Sequence, residues 1–168
     1  MVATEHISAS LERLRQSPLA AEMFWEYFRL GAKQPERVLS RLKNIRAALP
    51  ACSVWDGLWL AAMVHHADQT LSRMSRWPVD VRREVWEHLV ALDGGQGWIL
   101  PLLVAAIAAE KSPSVLKALC SWRPHPSVSF SAAQAEWFSR LIQSHDRLPA
   151  DAPLRSVDIR ERLFEIFF

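Results

Sequence analysis

The apolar residues of this chain recur every three or four positions and hardly ever alternate, a spacing that constrains the fold more than any other feature. Side chains three or four apart share a helix face, whereas side chains two apart share a strand face. With only five glycines in 168 residues, the pattern predicts an all-α fold in which strands are absent or trivial.

Helix punctuation divides the chain further. A first helix is expected over residues 8–16, broken at Ser17-Pro18, where Ser suits an N-cap and Pro the first helical position. The second carries Met23, Phe24, Trp25, Tyr27 and Phe28 to a stop at Gly31. A third starts near Pro35, places Val38, Leu42, Ile45 and Leu49 on one stripe, and ends before Pro50. Ser53 and Asp56 resemble a capping box with the shorter acid. The helix they open, residues 53–64, is apolar in almost every direction and is expected to be central and most buried.

Further helices are expected over residues 69–76, 79–92, 99–111 and 113–122, followed by an extended connector at Pro124 and Pro126. Ser131 with Gln134 is a fuller capping box and opens a helix with Trp137, Phe138, Leu141 and Ile142. Ser156 would cap a last helix reaching the chain end. No composition shift divides the chain, so residues 1–168 are read as one compact bundle of about seven to nine helices, irregular or built of stacked hairpins. Trp25, Trp55 and Trp86, each followed by an acid and spaced 30 and 31 apart, would fit a helix-hairpin repeat, although the tetratricopeptide glycine and alanine pattern is missing.

Composition bounds the functional classes. A chain of this length can bury about 70% of its unfolded surface, and eight Trp, each worth roughly 150–250 Å², supply a large core. Twenty Lys and Arg against eighteen Asp and Glu leave a formal charge of +2, too little to imply a polyanionic partner from net charge. Cys52 and Cys120 alone build neither a disulfide framework nor a Cys-based zinc site; they read as reduced thiols of a cytoplasmic protein. Glu5 and Glu12 break the layout of a secretory signal. The longest uncharged stretch, residues 94–109, contains Pro101 and falls short of the roughly 20 apolar residues that span a bilayer. No membrane association is expected.

Catalytic and cofactor signatures do not assemble. His65 and His66 with Asp68 come nearest to a metal constellation, but adjacent helical side chains diverge by about 100°, so core or boundary histidines are the reading. Glu84, Glu87 and His88 lack the Glu-x-x-His spacing and second copy of a carboxylate metal site. No Gly-x-Ser-x-Gly elbow is present, and neither cysteine has a nucleophile context. Gly94-Gly95-Gln96-Gly97 precedes a helix, as phosphate loops do, yet no strand leads into it and no Lys-Ser/Thr follows it, so a helix C-cap and tight turn account for it. No metal, cofactor or catalytic residue is assigned.

Two regions point to partners. Arg29, Lys33, Arg37, Arg41, Lys43 and Arg46 are opposed only by Glu36 across that stretch, which would attract nucleic acid or an acidic protein. On the third helix these charges flank both edges of the apolar stripe, as on a solvated face. In the last segment Ile159, Leu163 and Ile166 form one face while Val157, Phe164 and Phe168 lie roughly 140–180° away. Such a helix is either sandwiched within the fold or meets a partner.

Three stretches, Ala48-Leu49-Pro50 with Val54-Trp55, residues 77–83, and residues 97–109 from Gly97-Trp98, resemble an uncharacterised bacterial family of small helical proteins often encoded beside type VI secretion genes. They cover a little over a third of the chain, and the glycine-serine and proline-rich stretches of that family's C-terminal half are missing. The resemblance implies a secretion-associated accessory role and transfers no catalytic residue.

The expectation is therefore a non-catalytic, protein-binding factor of a bacterial secretion system: an adaptor, chaperone or immunity protein whose partner is a secreted effector, a secretion component or a second copy of itself. Phe164, Phe167 and Phe168 are its expected contacts, with Arg37 and Arg41 as electrostatic anchors. The alternative is a nucleic-acid-binding regulator using residues 29–46.

Overall fold

A computed structural model describes residues 2–49, 51–143 and 161 of the chain. Among these there are nine helices and no strand: α1 (Val2–Gln16), α2 (Pro18–Gly31), α3 (Pro35–Ala48), α4 (Val54–His65), α5 (Ala67–Met74), α6 (Val79–Asp93), α7 (Leu100–Ala109), α8 (Pro113–Leu119) and α9 (Ala132–Gln143). The all-α reading holds. The segment with Ser156, Phe164, Phe167 and Phe168 lies outside the described residues.

Local chemistry sets the boundaries. Ser17 Oγ accepts the Ala20 N–H, with Pro18 in the first turn of α2, and Ser53 Oγ accepts the Asp56 N–H to open α4. At α9 the box is reciprocal: Gln134 N–H donates to Ser131 Oγ, and Ser131 N–H donates to Gln134 Oε1. Two helices end earlier than their periodicity suggests. Met74 closes α5 because Trp77 precedes a proline, which disfavours helical backbone. Ala109 closes α7 because Glu110 turns extended, where its carboxylate accepts the Lys111 and Ser112 N–H groups and the Arg82 guanidinium.

Buried side chains from Ile7 to Leu141 form one hydrophobic cluster. At its centre, α4 packs chiefly on α1 and α2, while α3 and α8 lie on α6, and α5 and α9 on α7. The C-terminal part of α4 is buried as expected, from Trp59 through Val64. Its first turn is not: Val54 is 48% exposed and Trp55 69%. The proposed repeat fails for the same reason. Trp25 and Trp86 are buried mid-helix, whereas Trp55 stands exposed at a helix start, so the three are not equivalent.

The glycine cluster is a structural joint. Gly94 takes left-handed backbone (φ 57°) as the C-cap of α6, its N–H reaching Val90 O. At Gly95 (φ 78°) a Cβ would stand 2.4 Å from both Arg123 O and His125 N, so only glycine admits that close backbone approach. Asp93, fully buried, accepts the Gly97 N–H (3.1 Å), the Ile99 N–H (3.1 Å) and the Trp122 indole N–H (2.7 Å). Burial pushes its carboxyl up; these donors and the Trp98 N–H pull it back.

Candidate functional site

α2 carries two apolar faces. At 100° per residue, Ala21, Trp25 and Phe28 point into the core, and Leu19, Met23, Tyr27 and Leu30 form a second stripe on another side. The second stripe is open, with exposures of 72%, 63%, 58% and 56%. Glu22, Glu26 and Arg29 border it on one edge. On the other edge stands Phe24, half-buried, its ring 5.5 Å from that of Trp55 at the start of α4. Trp59, one turn further along α4, is buried under α2 against Phe28 at 5.8 Å. Trp55 thus continues a core row beyond the point where the described helices cover it.

Met23, Phe24, Tyr27, Trp55 and Arg41 line a groove of about 340 Å³ on this face. Arg41, from α3, forms its polar wall. Its guanidinium stands 4.4 Å from the centre of the Trp59 ring and 5.3 Å from that of Tyr27, and Nη2 donates to Asp56 Oδ1 at 3.1 Å. Stacking and ion pair together fix the side chain. The groove is an apolar floor with one immobilised, largely neutralised cation at its rim. Two aromatics of roughly 150–250 Å² each, more than half exposed, together with three aliphatics, reach the few hundred Å² at which a patch marks a contact surface.

The expected anchors separate. Arg41 is held by Asp56, Tyr27 and Trp59, whereas Arg37, one turn earlier on α3, is exposed and has no ion pair among the described residues. The remaining cations of residues 29–46 are mostly engaged as well: Arg29 with Glu26 (2.8 Å), Lys43 with Glu84 (3.6 Å), and Arg46 Nη1 with His88 Nδ1 (2.9 Å). Only Lys33 and Arg37 of that stretch have no such contact among the described residues. Sequence reasoning placed the surplus apolar face on the last helix and missed α2. The signal was present in the spacing of Leu19, Met23, Tyr27 and Leu30, but the adjacent run Met23, Phe24, Trp25 merges both faces into one cluster.

The titratable candidates have structural surroundings. His65 and His66 meet edge to face at 4.9 Å, and His66 lies 5.2 Å from the Trp25 ring. Among the described residues no three His, Cys, Asp or Glu are placed to hold a metal. Burial, then His66 and Arg15, hold His65 below the ordinary histidine range. Cys52 and Cys120 are buried and free; burial raises both thiols, Cys120 to about 11, so at neutral pH neither is a thiolate nucleophile. No described helix is long and apolar enough to cross a membrane.

Comparison of the chain with protein-family models, with curated proteins and with solved structures returned no match.

Proposed function

We propose that this protein acts without catalysis by binding another protein, and that α2 with the first turn of α4 is the contact face. The observation that carries the reading is the second apolar stripe of α2, Leu19, Met23, Tyr27 and Leu30, left open beside Trp55. Exposed aromatic and methionine side chains in a groove are the kind of group that dominates protein contacts once desolvated. The partner would be another chain presenting apolar side chains to the groove and an acid to Arg37, the uncompensated cation nearby on α3. The resemblance of three stretches to a family encoded beside type VI secretion genes supports an accessory role in a bacterial secretion system, in the cytoplasm, as adaptor, chaperone or immunity protein. A second copy of the chain would bind through the same face. A duplex-binding role draws less support, since four of the six cations of residues 29–46 already have partners.

The test is the double variant Met23→Ser, Trp55→Ser. Both positions are more than half exposed, so helicity and cooperative urea unfolding should persist. Sedimentation of tagged protein in host extract should shift from a complex to the size of the free chain. A folded variant that sediments as the wild type does removes this face from the function.

A further inference from the structure

A second feature lies where the α2–α3 turn meets the α5–α6 turn. There a pocket of about 300 Å³ is lined by four cations, Arg29, Lys33, Arg73 and Arg76, beside Trp77 and Pro78. Among the described residues one carboxylate pairs with them. Glu26 binds Arg29 at 2.8 Å and feels Arg73 as well. Lys33, Arg73 and Arg76 have no ion pair among the described residues, so three of the four lining cations are unpaired. Like charges that line one pocket repel one another, and a bound anion relieves that repulsion.

The two turns that carry the cations are tied together. Trp77 Nε1–H donates to Ala32 O at 3.0 Å, tying one turn to the other. Arg82 Nη1 donates to Trp77 O at 2.8 Å, and Arg82 is itself fixed by Glu110 at 3.0 Å in a mostly buried pair. The Arg76 and Trp77 N–H groups close the turn onto Arg73 O and Met74 O. Helices α3 and α6 also run parallel, since Pro35 and Pro78 line this pocket while Lys43 meets Glu84 and Arg46 meets His88 further along. Their positive ends therefore add to the field of the side chains. The cationic side chains, not the helix ends, define the site.

We propose that this pocket binds a compact dianionic oxyanion of the phosphate monoester class, with Arg73, Arg76 and Lys33 as its ligands and Arg29 shared with Glu26. One feature selects a small group over a long polyanion: a strand leaving along either helix would run past Glu36 in the first turn of α3 or Asp80 in the first turn of α6. Guanidinium forks match the oxygen spacing of phosphate.

The experiment is calorimetric titration of the full chain, in chloride buffer at low salt, with inorganic phosphate, with O-phosphoserine and with a duplex oligonucleotide at matched phosphate concentration. One phosphate should bind per chain. Arg73→Ala with Arg76→Ala should weaken it at least about tenfold, the loss of one or two charge-assisted hydrogen bonds. Without phosphate the variant should melt no lower than the wild type, because it loses repulsion rather than a contact. Lys117→Ala, an exposed cation on α8 outside the pocket, should bind as the wild type does. Phosphoserine binding tighter than inorganic phosphate places the group on a side chain; the reverse order places it on a free anion, and either order supports the pocket. Equal weakening by Lys117→Ala, no binding of either small anion, or preference for the duplex overturns it.

Discussion

The α6–α7 junction and the α2–α4 face hold bulky side chains under opposite rules. At the junction, Asp93 collects two backbone N–H groups and the Trp122 indole, Trp122 is fully buried, and Gly95 lets two backbone segments touch. On α2 and α4, Tyr27 and Trp55 are 58% and 69% exposed, and Met23 faces the same groove. The Asp93 carboxylate, the Trp122 indole and the Gly95 backbone are all used by the fold itself, while the buried Trp98 indole N–H finds no partner among the described residues. The α2–α4 face carries side chains of equal hydrophobic worth that the described helices leave exposed. Residue type alone does not separate core from contact surface; what separates them is whether another element of the chain arrives to cover the residue.

Substitutions should break this contrast unequally. Asp93→Ala should have the largest effect, because three buried N–H donors lose their acceptor at once. At about 1–3 kcal/mol for a stranded buried donor, urea unfolding should show a loss of about 3 kcal/mol or more. Gly95→Ala comes next. It forces an L side chain into left-handed backbone and against Arg123 O and His125 N, with an expected cost of about 2 kcal/mol. By contrast Trp55→Ser should change unfolding by no more than about 0.5–1 kcal/mol, although Trp55 is as large as any side chain at the junction. A Trp55 variant that unfolds as easily as the Asp93 variant would erase the difference between the two regions.

The smallest expected effect is a pH dependence. Burial, followed by neighbouring positive groups, lowers His65 and His88 from 6.5. Both histidines therefore bind protons more readily in the unfolded chain, so stability falls as pH drops below 6.5 toward the lowered folded-state values. His65→Gln with His88→Gln should flatten the unfolding midpoint between pH 6.5 and 5. A profile unchanged by the double substitution would assign that slope elsewhere.

Much of the fold was legible because helix ends carry local signals. Ser17, Ser53 and the Ser131–Gln134 box act over three residues, and the sequence states them directly. Asp93 was not legible as a buried acceptor: its indole donor is 29 residues away, and a carboxylate at a helix end reads as a solvated one. The candidate face was legible only in part. Periodicity shows that α2 has two apolar sides but does not say which neighbour covers which, and Trp55 was assigned to the core because the rest of α4 belongs there. The cation pocket was harder still, because Arg73 and Arg76 join Arg29 and Lys33 only through the packing of two turns.

Site-specific crosslinking reads the open face most directly. A photoreactive amino acid placed at position 23 and, separately, at position 117 on α8 should give different results in the native host. The account predicts one discrete adduct from position 23, competed away by the unlabelled wild-type chain but not by the Met23→Ser, Trp55→Ser variant, and no discrete adduct from position 117. The same pattern from both positions, or none from position 23, would contradict it.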